Sequence, residues 1–382
     1  MKTKLILAGL VAAASVWAQS EQWLEYRTES DATSYRSYQI GTLTTNAPAG
    51  VALPKFTASP YFVFWKTPMD PAGGRWLAFD RTRKSGPYDR VFVDSAGNRR
   101  LDDKTPVKAR LDSYYAYFPP TALVFKGEDG PVTYHLGLRF YKYDNNPAQL
   151  LVSSAGWYEG AVNFGGAKKH IKLIDGNVNG TFNDVEENAF SSDRVEIDGD
   201  STGEHYLGKL IEVDGKFFHM EAARDGAFVK VQPAENVVLG SIHVPENISE
   251  FTAFGENGHF VRKPAGGQFT LPVGKYQILS WQINRKDDKG TPWTLSGQSF
   301  PKEASFDVAA NTTATVDIGE PIHTVLKFNE QPSRMIRFDL SLMGKQNETI
   351  QLLRNGERPK GPKLMLATAS GALAYTNSFE FG

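Results

Sequence analysis

Residues 175–186 read Asp-Gly-Asn-Val-Asn-Gly-Thr-Phe-Asn-Asp-Val-Glu. Asp175, Asn177, Asn179, Gly180 and Glu186 fit the calcium-loop pattern D-x-[DN]-x-[DN]-G-x5-E. Calcium takes about six to eight hard oxygen ligands at about 2.3–2.6 Å. A tight loop turns alternate side chains inward, so its first, third and fifth positions converge, and glycine at the sixth permits the sharp bend. The carbonyl of Thr181 is the next expected ligand. Glu186 closes the shell, or Asp184 does so in a tighter loop. Lys172-Leu173-Ile174 before the loop reads as a strand, and Phe190-Ser191-Ser192-Asp193 after it has no helical stripe. The loop is therefore expected in a β setting, not between two helices, and with no hydrophobic content of its own, so that an ion would be its cross-link. The same residue types also make an ordinary solvated Asn/Gly turn.

Two further segments share this character. Asp198, Asp200 and Thr202 occupy the first, third and fifth positions of a loop with Gly203 at the sixth. Asp198 and Asp200 are candidates for a second ion or for ligands lent to the first. Asp94, Asn98 and Asp103 mark a degenerate copy, with Ala96 at the third position and Arg99 in place of glycine, and this one is expected to have lost any metal.

Other chemistry finds little support. The histidines at 135, 170, 205, 219, 243, 259 and 323 form no H-E-x-x-H or other short metal spacing. There is no G-x-S-x-G elbow, and Ser299-Phe300-Pro301-Lys302 matches S-x-x-K without its S-D-N and K-T-G companions. Phosphate-binding G-x-x-x-x-G-K and dinucleotide G-x-G-x-x-G loops are absent. A pair of carboxylates for glycoside hydrolysis is recognised only by its separation in space. No catalytic residue is therefore assigned. Tyr114-Tyr115-Ala116-Tyr117-Phe118 is either a strand with its rings in the core or a platform for sugar faces.

The elements that must position these residues are strands. Tyr61–Trp65, Arg90–Val93, Thr133–Tyr141 and Gln149–Val152 are short alternating or β-branched runs bounded by turn formers. Asp214-Gly215 joins Leu210–Val213 to Lys216–Met220 as a hairpin, and Asn355-Gly356 makes a second such turn. The fold class is mostly β, with two or three sandwich or sheet modules and few or no long helices. The expected modules are an N-terminal β domain (19–155), a β module with the calcium-type loop (156–235) and a C-terminal β-sandwich (236–382).

The Leu271-Pro272-Val273-Gly274-Lys275-Tyr276 turn, followed by Val308-Ala309-Ala310-Asn311-Thr312-Thr313, resembles the carboxypeptidase-regulatory-like, or prealbumin-like, sandwiches appended to many secreted proteins. That resemblance implies a non-catalytic module. Across most of the chain, the order of Asp/Asn/Gly-rich loops, Tyr-rich strands, Gly156-Trp157-Tyr158-Glu159-Gly160 and the sandwich resembles a group of uncharacterised exported bacterial proteins. This implies export and calcium but no activity.

Composition bounds the function. The 382 residues include 42 basic and 43 acidic ones and no cysteine. Disulfides, thiolate metal sites and a cysteine nucleophile are excluded, and the charge balance gives no electrostatic case for nucleic acid. Residues 1–18 read as a signal peptide: Lys2 and Lys4, an apolar run from Leu5 to Ala14, then Val16-Trp17-Ala18. Its removal leaves a charge of −3. The expected protein is exported to the periplasm or beyond, has no transmembrane segment once mature, carries structural calcium and binds a surface ligand (a glycan or another protein) without catalysis. The alternatives are a secreted hydrolase with a calcium-supported carboxylate site and a structural cell-surface component assembling through sheet edges.

Overall fold

A computed structural model describes residues 21–29, 38–112, 115–127, 130–142, 146–186, 188–198, 205–301, 304–330 and 335–380. The expected leader lies outside the described residues, as do Tyr114, Asp200, Thr202 and Gly203. Strands dominate what is described, and the one helical segment among those residues is the 3-10 turn Ala189–Ser191. No helix there is long and apolar enough to cross a membrane.

Period-two patterning explains the strands. In Pro131–Tyr141, Tyr134, Leu136, Leu138 and Phe140 are buried, while His135, Arg139 and Tyr141 on the other face are half-exposed. This strand is the middle of a five-stranded antiparallel sheet. Its neighbours, from edge to edge, are Tyr38–Ile40, Gln149–Ser154, Pro131–Tyr141 itself, Tyr115–Lys126 and Arg110–Asp112. A second five-stranded sheet runs His205–Tyr206, Arg194–Ile197, Ala167–Ile174, Gly156–Phe164, Glu25–Thr28. Leu138, Phe140 and Val152 of the first sheet and Val162, Ile171 and Leu173 of the second belong to one hydrophobic core, so that core is continuous across position 155.

A second core holds Ile242 and Leu271 together with Phe251, Ile278 and Trp281. Ile242 and Leu271 come from a three-stranded sheet, and the other three from the eight-stranded sheet facing it. Pro272-Val273-Gly274 therefore carries the chain from one layer of a sandwich to the other, joining Gln268–Pro272 to Gly274–Lys286. The Asp214-Gly215 hairpin forms as its sequence predicts, with φ of 50° and 75° at the two turn residues.

The two cores meet where the chain from His205 to Leu210 lies along the Gly258–Arg262 strand. Lys209 N donates to Glu256 O (3.0 Å) and Leu210 N to Asn257 O (2.9 Å). Gly208 is required there, because a Cβ would stand 2.3 Å from the Cα of Gly258. The imidazoles of His205 and His259 meet edge to face at 5.7 Å. Burial, and then His205, hold His259 down at about 3. The neutral ring contributes stability that is complete above its ordinary value of 6.5 and is lost as pH falls toward about 3. The loss between pH 7 and pH 5 is about 2 kcal/mol. His259→Phe is expected to remove that part of the acid sensitivity, read from urea midpoints at the two pH values, and an unchanged difference between them would refute it.

Candidate functional site

The Asp175 loop grows from a strand pair. Ala167–Ile174 runs antiparallel to Arg194–Ile197 with Ile174 opposite Arg194, so Asp175 and Asp193 are the first residues beyond the ladder. Both are fully buried. The Asp175 carboxylate accepts from Val178 N (2.5 Å), Asn179 N (3.3 Å), Gly180 N (2.7 Å) and Tyr134 Oη (2.8 Å). Four donors fill the acceptor capacity of a carboxylate. Asp193 accepts from Gly176 N (2.9 Å) and Asp184 N (2.7 Å), tying the two ends of the loop together.

Val178 has a φ of 60°, a left-handed conformation that β-branched residues avoid. The bend turns its carbonyl toward Trp65 Nε1 (2.9 Å) and Gln39 Nε2 (2.8 Å), which hold it. The loop does have apolar content, contrary to the expectation from its composition. Val178 is 0 % and Phe182 2 % exposed, and the Phe182 ring packs edge-on against Tyr134 and Tyr158. These two residues anchor the loop to the core.

The polar side chains gather on Asp184. Its Oδ2 accepts from Asn177 Nδ2 (3.2 Å), Asn179 Nδ2 (2.8 Å) and Thr181 Oγ1 (2.8 Å). Asn179 Oδ1 in turn accepts from Thr181 N and Oγ1. Asp175, Asn177, Asn179, Thr181 and Asp184 are thus brought together. Glu186 is exposed, and its backbone N and O meet Ser192 Oγ. Asp198 stands at the opposite end of the Arg194–Ile197 strand, where it accepts from His170 N (3.0 Å) and pairs with Lys169 Nζ (3.2 Å). Sequence reasoning missed Asp193 and Tyr134. Tyr134 was within reach, since alternation places it inward with Leu136 and Phe140. Asp193 becomes visible only once the strand register is known.

The charges of this loop lack a counterpart. Burial raises Asp175 to about 6 despite its hydrogen bonds. Burial and then the Asp175 charge push Asp193 well above the ordinary carboxylate range. Burial, seconded by Asp175, keeps the Tyr134 phenol protonated and donating. Among the described residues, the hydrogen-bond and ion-pair partners of Asp175, Asp184 and Asp193 include no Lys or Arg. The donor types (carboxylate, amide and hydroxyl oxygen) suit calcium, yet no three His, Asp or Glu side chains among the described residues close on one ion. The Asn177, Asn179 and Thr181 side chains face Asp184, while Asp175 and Asp193 shape the loop.

The degenerate loop at Asp94 solves the same problem differently. Asp94 accepts from Asn98 N and Arg99 N, both at 3.0 Å, in the same loop-capping manner. Here the buried Arg75 guanidinium supplies the positive charge, with Nε 2.5 Å from Asp70 Oδ2 and Nη1 4.0 Å from Asp94 Oδ1.

The Tyr115–Phe118 segment divides between two faces of its strand. Ala116 and Phe118 enter the core, while Tyr115 and Tyr117 lie half-exposed on the outer face of the first sheet. Cross-strand register aligns Ile40, Leu151, Arg139, Tyr117 and Arg110 in one row and Gln149, Tyr141, Tyr115 and Asp112 in the next. Arg139 lies over the Tyr115 ring at 4.9 Å and Arg110 over Tyr117 at 5.1 Å. Separately, a cleft of about 360 Å³ between Tyr26, Tyr158 and Pro131–Thr133 has Asp225 as the one carboxylate among the described residues of its lining. No family model, curated protein or solved structure matches the chain.

Proposed function

We propose that this chain is an exported, non-catalytic binding protein of the envelope or extracellular space, stabilised by calcium in the Asp175–Asp193 loop. The observation that carries the binding role is the outer face of the first sheet, where tyrosines and arginines form continuous cross-strand rows instead of the scattered Lys, Glu and Thr of a merely solvated face. Aromatic rings and arginine are enriched where proteins bind partners. The direct test is retention of the fluorescently labelled mature protein on isolated cell envelopes. Tyr117→Ala is expected to lower retention several-fold without changing the melting curve, and equal retention would refute the role of this face.

Calcium is supported by the three carboxylates that share a loop with no internal cation. An ion at Asp184 would draw the Asn177 and Asn179 amides round to present oxygen, and would favour the ionised forms of Asp175 and Asp193 that burial disfavours. Binding to the folded form alone stabilises it by about 2.7 kcal/mol at about 100 times the dissociation constant. The melting midpoint is expected to rise with calcium and fall with excess chelator in the parent protein. In Asp184→Asn it should respond to neither. A parent midpoint indifferent to both would remove calcium from the proposal.

A further inference from the structure

We infer that the cleft beside Tyr26 and Tyr158 binds a small quaternary ammonium compound of the choline type, its methylated nitrogen held against the two tyrosine rings and opposite the Asp225 carboxylate. The inference needs neither the outer face of the first sheet nor calcium. Three sheets build the cleft. Tyr26 and Tyr158 are directly opposite each other on the paired strands Glu25–Thr28 and Gly156–Phe164. Pro131, Val132 and Thr133 begin the central strand of the first sheet. Asp225 and Ala227 lie in the turn that joins Lys216–Ala222 to Phe228–Pro233 in a four-stranded sheet. The volume of about 360 Å³ lies within the range of about 300–1,000 Å³ usual for small-molecule sites.

The walls are fixed in advance, which lowers the entropic cost of binding. The Tyr26 ring stacks on the His135 imidazole at 5.7 Å, and its hydroxyl meets His135 Nδ1 (3.2 Å) and accepts from His135 N (3.1 Å). The Tyr158 ring stands 4.9 Å from that of Tyr26, inclined at 57°, and Phe182 packs against it edge-on. Gly226 lets the Asp225 turn lie on Tyr158: its φ is 83°, and a Cβ there would be 2.4 Å from Tyr158 Cδ2. Phe182 N donates to Arg224 O (3.0 Å) and holds the same turn from the other side.

The chemistry of the lining selects the ligand. Asp225 Oδ1 accepts from Ala227 N (3.1 Å), and among the described residues Oδ2 has neither a hydrogen-bond nor an ion-pair partner. Burial and then the Asp225 charge push the Tyr158 phenol up to about 12, so this ring stays neutral. Among the described residues the lining contains no Lys, Arg or His, and the net charge of −1 does not oppose a cation either. Tyr26, Tyr158, Pro131, Val132 and Ala227 make the walls mainly apolar. A bare ammonium or guanidinium would leave N–H donors short of acceptors there. A methylated nitrogen has no donor to satisfy, and it is attracted by ring faces and by the carboxylate together.

The test is calorimetric titration of the full chain with choline, with its uncharged carbon isostere 3,3-dimethylbutanol and with the unmethylated amine ethanolamine. Choline is expected to bind at least tenfold more tightly than either. Asp225→Asn should lower choline affinity at least tenfold and leave that of the isostere unchanged. This variant keeps an acceptor for Ala227 N, so the turn survives, as an unchanged melting curve would verify; the comparison with the isostere needs no variant at all. The source of the cation is read with phosphatidylcholine vesicles. Retention that Asp225→Asn abolishes would place the choline group on a lipid, and binding of free choline without retention would place it on a soluble compound, either result supporting the site. An isostere bound as tightly as choline would overturn the cationic assignment, and ethanolamine bound as tightly would overturn the quaternary one. Choline affinity indifferent to Asp225→Asn would overturn the location. Absence of heat from choline at millimolar concentration would overturn the inference outright, with envelope retention through Tyr117 and the response to calcium unaffected.

Discussion

Asp175→Ala is expected to destabilise the protein by about 4 kcal/mol, a size reached only when a buried polar network is broken. Four donors converge on this carboxylate: the amides of Val178, Asn179 and Gly180 and the Tyr134 hydroxyl. Asn179 N keeps a second acceptor in Asn177 Oδ1 at 3.1 Å. The other three lose theirs in a site with no exposure, and each buried donor left unsatisfied costs about 1–3 kcal/mol. Relief of the repulsion between Asp175 and Asp193 returns part of this. Asp175→Asn keeps one acceptor oxygen and should cost about half as much. Urea melts in chelator isolate the hydrogen-bond contribution from that of the ion. A loss below about 1 kcal/mol for the alanine variant would mean that the Val178–Gly180 turn holds its left-handed bend without the carboxylate. The prediction is independent of calcium, because the four donors already occupy Asp175. A calcium-specific variant must instead be made at half-buried Asp184, whose partners are side chains that can turn.

Local spacing made much of this loop legible, and long-range pairing hid the rest. The D-x-N-x-N-G run predicts the turn because Asp175, Asn177 and Asn179 each cap backbone N–H groups two to five residues ahead, a contact that needs nothing but the neighbouring chain. Which of Asp184 and Glu186 turns its side chain into the loop was open in the sequence; Asp193, which accepts from Asp184 N across the loop, holds Asp184 there. The alternation of Ala116 and Phe118 with Tyr115 and Tyr117 was equally legible, but not which pair faced inward. That depends on the neighbouring strand, where Leu138 and Phe140 select the core face. The expected module boundary near 155 had no local signal of its own, and the packing of Phe140 and Val162 into one core is a contact between sheets that no local pattern encodes.

Arg75→Met is expected to cost about 4 kcal/mol, because it leaves Asp70 and Asp94 buried without a cation. The guanidinium is 4 % exposed. It pairs with Asp70, donates to Val124 O at 3.0 Å and lies over the Phe125 ring at 4.8 Å. Gly97 lies so close that a Cβ there would be 1.9 Å from Nη1, so the loop is built around this side chain. Methionine retains much of the stem packing but none of the charge. Burial already pushes Asp94 upward with the arginine present, and removing the arginine deprives it of the one guanidinium that opposes this shift. Adding Asp70→Asn to Arg75→Met should recover about 1–2 kcal/mol by halving the uncompensated charge, a coupling that a double-mutant cycle measures directly. Additivity within about 0.5 kcal/mol would show that Arg75 and Asp70 are not coupled. The two loops then make a matched pair. At Asp94 a side chain of the protein carries the neutralising charge, so chelator should leave the stability difference between parent and Arg75→Met unchanged. At Asp175, among the described residues, no side chain does so, and the proposed ion would take that part.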